Sequence, residues 1–400
     1  MTSNPDSRRN RYSISERAEK LSPSGIRKFF DLLNSIDGVI SLGVGEPDYA
    51  TPRPIIEAAI ESLDKGYTMY TSNMGMPELR DELSRHLNGE YGLTYNPDNE
   101  MLVTVGVSEG MDLSMRAILN PGDEVIMPDP HYVAYDACVI MASGIPVKVP
   151  TFEENNFELD PIEVEKRING KTRAIFIGYP ANPTGAVMGR AKLEEIAEIA
   201  RLHKLILISD EIYAKLVYGV EHTCAASLPG MKDNTILLGG FSKAYAMTGW
   251  RIGYAAGPVE IIAAMTKIHQ YTMMCASTMS QVAAIQALKS GEESASEMVK
   301  DYDKRRKIIV KGLTDIGLSC FEPKGAFYAF PSIKSTGMSS EDFASGLLTE
   351  EKVAVVPGNA FGECGEGYIR CCYATSLSDI EEALARMKRF VNKHRTKDGK

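Results

Sequence analysis

Seven short apolar runs, separated by helical periods, limit the architecture of this chain more than any other feature. They are 102-LVTVG-106, 124-EVIMP-128, 146-PVKVP-150, 173-RAIFIG-178, 205-LILISD-210, 235-TILLGG-240 and 252-IGYAA-256. Continuous apolar strands of this kind need cover on both faces, and helical stretches such as 192-KLEEIAEIARLH-203 supply it. The pattern predicts an α/β fold whose mostly parallel, seven-stranded sheet is covered by helices. In such sheets ligands bind in the crevice at the carboxyl ends of the strands. Ser108, Asn182, Asp210 and Lys243 all sit at strand ends, which makes that edge the place to look for chemistry.

Flanking segments differ in character. The spacing from Ser22 through SGIRKFFDLLNSI predicts an amphipathic helix with Ile26, Phe29, Phe30, Leu32 and Leu33 on its apolar side. A short strand, 39-VISLGVG-45, follows and runs into the proline-marked loop EPDYATP. After about Ala287 come the charged helix EMVKDYDKRRKIIVKGL, strand-like runs at 325–331, 353–358 and 368–374, and a closing helix in SDIEEALARMKRFVNK. We expect a large domain at 48–287, and a smaller α+β domain built from 12–47 and 288–400.

Composition narrows the function. With 400 residues, 44% hydrophobic and 24% charged, there is ample material for a large core. A net charge of −9 argues against nucleic acid as the default partner. Seven cysteines with no CxxC pair give no metal-ligand spacing and read as reduced thiols, which points to the cytoplasm. The first dozen residues lack the apolar core of a secretory signal and are expected to fray. No run is long enough to span a membrane, so no membrane partner is expected.

Each polar strand end has an ordinary reading beside a chemical one. Ser108 opens a helix, whose N-terminal N–H groups favour an anion, but N-cap serines are common. Asp210 ends a strongly apolar strand, where a carboxylate needs a cation or several hydrogen bonds. Asn182 stands between prolines in 180-PANPTG-185 and offers a donor and an acceptor, or simply a turn. Lys243, in GGFSKAYAMTGWRIGY, has apolar company and no nearby acid, a setting that suits Schiff-base chemistry. Arg251, eight residues on, suits a phosphate or carboxylate. Arg370 interrupts the apolar strand YIRCCYA, as an edge arginine also would. Neither GxxxxGK[ST] nor GxGxxG is present at these loops.

Taken together the blocks GVGEPDYATP, YTSNMGMPELR, VTVGVSEG, NPGDEV, YPANPTGAV, SDEIY, FSKAYAMTGWRIGY, KGAFYAFP, VVPGNAFG and YIRCCYATS carry a resemblance. From about Ser22 to Val391 the chain resembles the fold-type I, pyridoxal-phosphate-dependent aminotransferases of class I and II. SKxxxxxGxRxG, with the spacing from Lys243 to Arg251, is the most specific block. The resemblance implies that Lys243 joins covalently to the aldehyde of pyridoxal 5′-phosphate and acts as the catalytic base. It implies that Arg251, with Val107, Ser108 and Glu109 at the helix N-terminus, binds the phosphate. Asp210 would hold the pyridinium proton, Tyr213 and Asn182 would bind the phenolic oxygen, and Tyr132 would stack on the ring. Arg370 would clamp the substrate carboxylate beside Gly45, and Tyr70 would reach the neighbour's phosphate across a homodimer interface. Two positions depart from the family pattern. Gly240 stands where many relatives have a phosphate-binding serine, leaving Ser242 as the nearby hydroxyl. Glu109 is acidic where an amide or small residue is common, so its carboxylate is expected to turn away.

The implied reaction is ping-pong transfer of an amino group from an L-amino acid to 2-oxoglutarate. The pattern is most similar to archaeal-type aromatic and aspartate members, with aromatic donors favoured and aspartate the alternative. A C–S β-lyase on the same site is the nearest rival. A pyridoxal-phosphate-binding transcription regulator is disfavoured, since such proteins carry an extra DNA-binding domain and about twenty residues precede Ser22.

Overall fold

Twelve strands are described, and seven of them build one sheet. In chain order they are β1 (Ile40–Ser41), β2 (Met101–Thr104), β3 (Glu124–Asp129), β4 (Ile145–Pro150), β5 (Thr172–Ile177), β6 (Ile206–Asp210), β7 (Thr235–Gly240), β8 (Gly253–Ala256), β9 (Tyr328–Ala329), β10 (Val353–Ala354), β11 (Val356–Pro357) and β12 (Ile369–Cys372). The protein is represented by a computed structural model that describes residues 14–21 and 37–395. The helix expected from Ser22 and the frayed first dozen residues lie outside the described residues.

The large sheet runs β2-β8-β7-β6-β5-β3-β4. Only β8 is antiparallel to its neighbours, β2 and β7, so six strands share one direction. Its strands begin and end within a residue or two of the apolar runs read from the sequence. Period-2 alternation sends successive side chains to opposite faces. Ile126, Ile175, Ile177 and Leu207 pack on the side of helix Arg190–Leu202. Val125, Ala174, Phe176, Ile208 and Leu238 pack on the opposite side, against helices Gly106–Ile118 and Val259–Thr272. Both faces are therefore dry, which is why the strands read as continuous apolar runs.

The carboxy-terminal part pairs with the amino-terminal segment. β1 lies parallel to β10, while β12 is flanked antiparallel by β11 and β9. Helices Glu292–Asp315, Ser340–Glu351 and Leu377–His394 pack around these strands. The Cys372 N–H donates to the Leu42 carbonyl at 2.7 Å, tying β12 to the chain that leads into Gly43 and Gly45.

Leu238 is fully buried in the core against helix Gly106–Ile118. Leu238→Ala is expected to cost ~3 kcal/mol, because the lost transfer energy adds to the cavity left behind. A fall in the urea midpoint with an unchanged slope is the expected reading; an unmoved midpoint would show that this layer repacks freely.

Candidate active site

Parallel strands deliver their ends to one edge, and there they enclose a cavity of about 290 Å³. β6 ends in Asp210 itself. The chain leaving β5 supplies Asn182, and the chain leaving β7 supplies Ser242 and Lys243. Because β8 runs the other way, its start lies at the same edge and brings Arg251. β2 leads directly into helix Gly106–Ile118, whose first turn carries Val107 and Ser108. The opposite wall comes from Gly45 and from Tyr328 and Arg370 of the carboxy-terminal strands.

Lys243 Nζ donates to the Gly45 carbonyl at 2.6 Å. Among the described residues no carboxylate forms an ion pair with it. Burial is the main cause that lowers its pKa to about 8, with Arg370 and Arg251 pushing the same way. The charged amine is thus penalised on folding. That cost is present below pH 8 and disappears as pH rises from 8 towards the ordinary lysine value.

Asp210 is 5% exposed. Its carboxylate accepts from the Tyr135 hydroxyl at 2.9 Å and from the Ile212 N–H at 3.1 Å. Burial nevertheless raises its pKa to about 6. Two neutral donors do not replace the water removed, so the carboxylate remains short of a cation.

Arg370 Nη1 donates to Asn182 Oδ1 at 2.9 Å, and Nη2 donates to the Gly43 carbonyl at 2.6 Å. Among the described residues its buried Nε has no partner, and the Asn182 amide N–H₂ has none either. Arg251 Nη1 donates to the Thr248 carbonyl at 2.9 Å, and its backbone is left-handed at φ 51°. A non-glycine residue pays about 1–2 kcal/mol for that conformation. Arg251 stands close to the helix N-terminus, which has no side-chain cap.

The structure brings Gly45, Val107, Ser108, Tyr132, Asn182, Asp210, Tyr213, Ser242, Lys243, Arg251 and Arg370 to one cavity. Two residues of the sequence reading stand apart. Glu109 turns its carboxylate to His269 Nδ1, at 2.7 Å, and to the Val105 N–H. Tyr70 is 79% exposed and does not line the cavity.

Sequence reasoning missed Tyr135 and Tyr328. Tyr135 reaches Asp210 because position 178 is glycine, where a Cβ would fall 2.4 Å from the Tyr135 hydroxyl. Its signal was the i, i+3 spacing from Tyr132, which puts two tyrosines near one another on a helical turn. Tyr328 lay within a quoted block but had no charge or motif position to single it out. Among the described residues no group of His, Cys, Asp or Glu is arranged to hold a metal ion, and no helix is long and apolar enough to cross a membrane.

Comparison with known proteins gives concordant matches. The family model for aminotransferase class I and II matches residues 37–387. YugH of Bacillus subtilis is 56% identical over 380 residues, spanning 95% of this chain and 98% of YugH. The aspartate aminotransferase of Pyrococcus abyssi is 46% identical, spanning 95% of this chain and 98% of its own. The crystal structure of an aromatic aminotransferase from Pyrococcus horikoshii superposes with a TM-score of 0.88 at 46% identity, covering 91% of this chain and 99% of that one.

The depressed lysine pKa has a direct reading. In protein stripped of small ligands, acylation of Lys243 is expected to rise with pH through a midpoint of about 8. Surface lysines should titrate near ~10.4. Peptide mass spectrometry after short reagent pulses measures both. A Lys243 midpoint equal to that of the surface lysines would remove the burial argument.

Proposed function

The chain belongs to the class I and II aminotransferases, and on that premise we propose that it holds pyridoxal 5′-phosphate at the sheet edge and transfers an amino group from an aromatic L-amino acid to 2-oxoglutarate. One observation carries the reading. A half-buried lysine with no acidic partner among the described residues shares a cavity with an open helix N-terminus, an arginine beside it, a cation-starved carboxylate and a second arginine.

The donor set fits the cofactor group by group. Arg251, Ser108, Ser242 and the N–H groups at Val107, Ser108 and Glu109 suit the phosphate. Asp210 suits a protonated ring nitrogen, whose positive charge would offset the burial that raises the Asp210 pKa. The Tyr213 hydroxyl and the free Asn182 amide suit the phenolic oxygen, and Tyr132 suits the ring face. Lys243 suits the aldehyde. When bound, the pyridine ring supplies an electron sink for the substrate carbon that loses its proton.

The chain's own residues then divide the work. Asp210 stays ionised and keeps the proton on the ring nitrogen. Arg370 binds the substrate α-carboxylate through its fork, fixing how the Cα–H bond is presented. Lys243 Nζ, whose pKa burial lowers to about 8, would take the α-proton as general base and hold it in the cavity for return. The 2-oxo acid would bind through the same Arg370 fork once the first product has left, so ping-pong kinetics are expected.

An aromatic donor is favoured over aspartate by the cavity's cations. Lys243, Arg251 and Arg370 are the cations lining it among the described residues, and each already has a role above. We further propose a homodimer with shared sites. Tyr70 (79% exposed), Met69 (70%) and Tyr271 (87%) are large apolar side chains in the open, and the Thr278 hydroxyl bonds the Met69 carbonyl. Such exposure fits an interface that also offers Tyr70 to the partner's phosphate. The division at 48–287 against 12–47 with 288–400 remains our reading of the domains. Seven free thiols support a reducing, cytoplasmic setting.

Addition of L-Tyr or L-Phe to the reconstituted enzyme, without an oxo acid, is expected to bleach the visible cofactor band. L-Asp should do so less effectively. Release of pyruvate and ammonia from cystathionine would instead favour lyase chemistry. Lys243→Ala should abolish turnover, and Asp210→Ala should reduce kcat by at least ~100-fold, in line with loss of an electrostatic group at the reacting system. Near-normal rates in either variant would overturn its assignment. Sedimentation is expected to give twice the chain mass of 43.8 kDa; a fully active monomer would refute the shared site.

A further inference from the structure

Two tyrosines that no carboxylate or metal explains meet at the floor of the cavity. The Tyr213 and Tyr328 hydroxyl oxygens lie 2.6 Å apart, and both residues are buried, at 6% and 1% exposure. Among the described residues the other acceptor for the Tyr328 hydroxyl is the Gly45 carbonyl, at a long 3.5 Å. That carbonyl already accepts from Lys243 Nζ at 2.6 Å. Position 45 must be glycine for this arrangement, since a Cβ would fall 2.6 Å from the Tyr328 hydroxyl oxygen. The Tyr328 ring meanwhile faces Arg370, with the guanidinium carbon 4.5 Å from its centroid, and Phe361 lies 4.9 Å from the same carbon.

We propose that Tyr328 is a positioning residue with two separable duties: its hydroxyl donates to the Tyr213 oxygen, leaving Tyr213's own proton for the cofactor's phenolic oxygen, and its ring holds Arg370 for the substrate carboxylate. The inference rests on the cofactor and substrate placement proposed above. Its logic is a count of protons. Two hydroxyls 2.6 Å apart share one hydrogen bond, and each has one proton to give. An anionic phenolic oxygen in the cavity is the stronger acceptor and claims the proton of Tyr213, which lines the cavity beside Asn182. The Tyr213 oxygen then has only lone pairs to offer, and Tyr328 is the donor within reach. A hydroxyl that accepts one hydrogen bond donates a stronger one. Tyr328 would therefore strengthen the Tyr213 bond to the phenolic oxygen and, through it, favour loss of the proton shared with the Lys243 nitrogen. The ring acts independently, because a cation over an aromatic face gains most where water is excluded, and Arg370 is 2% exposed.

Three variants separate these duties. Tyr328→Phe removes the hydroxyl and keeps the ring. Reconstituted with pyridoxal phosphate, it should show the pH midpoint of its visible band raised by about 0.2–0.6 unit. Its KM for the amino acid should stay within about twofold. Tyr328→Leu should show the same upward shift together with a KM raised about 5-fold or more. Tyr213→Phe should shift the midpoint further, and adding Tyr328→Phe to it should shift nothing more, because the second hydroxyl would then have no partner. An unmoved or lowered midpoint in Tyr328→Phe, or additive shifts in the double variant, would overturn the inference. A wild-type protein that forms no visible band would overturn the cofactor reading itself, which keeps the two failures distinct.

Discussion

Six strands of one direction finish on a single edge, and that constraint decides where this protein can bury charge. Backbone hydrogen bonding is satisfied along the sheet but ends with it, so the strand ends leave oriented N–H and C=O groups facing a crevice. Asp210, Asn182, Lys243 and the first turn of helix Gly106–Ile118 all arrive there as continuations of parallel strands. β8 reverses direction, so its beginning is the part that reaches the same edge, and Arg251 comes with it. Arg370 comes from β12, outside the sheet altogether. It is held in place by the Gly43 carbonyl, which belongs to the amino-terminal segment.

The charges gathered there do not balance by themselves. Among the described residues, Lys243, Arg251 and Arg370 line one cavity with a single buried carboxylate, Asp210. Arg370 and Arg251 act on Lys243 in the same direction as burial, towards the neutral amine. Asp210 is displaced towards its neutral acid because burial raises its pKa more than its two neutral donors, Ile212 N–H and the Tyr135 hydroxyl, lower it. Both shifts describe a site poised for a ligand that brings an anionic group to the arginines and a cationic one to the aspartate. Glu109 sits near the same helix N-terminus but is engaged with His269, and so it does not place a negative charge in the cavity.

The fold was largely legible because its signal is local. A strand buried on both faces must be apolar at nearly every position, and 235-TILLGG-240 coincides with β7 residue for residue. The residues at strand ends were legible for the same reason, since a lysine or aspartate directly after such a run stands out. Tyr135 and Tyr328 were not legible. Their hydroxyls matter through partners 75 and 115 residues away, and the spacing of Tyr135 from Tyr132 places it near that ring but does not announce its pairing with Asp210. The partner of Glu109 was hidden too, as His269 lies 160 residues further on. Glycine was the indirect clue: Gly45 and Gly178 each leave the space that a tyrosine hydroxyl occupies.

Reaction class and donor choice are written in different parts of the chain. In the proposed reading the strand ends supply the amine, the ring-nitrogen partner and the phosphate site, and Arg370 of β12 supplies the carboxylate site. Donor choice depends on what meets the substrate side chain. A side-chain carboxylate moved out of water needs a cation or several hydrogen bonds, or the penalty exceeds what its contacts return. In the proposed reading the three cations of the cavity are already assigned, to the aldehyde, the phosphate and the α-carboxylate. An aromatic side chain asks only for apolar surface and meets no such shortage. The imbalance between these two demands, rather than any motif, is the physical ground for placing an aromatic donor ahead of aspartate.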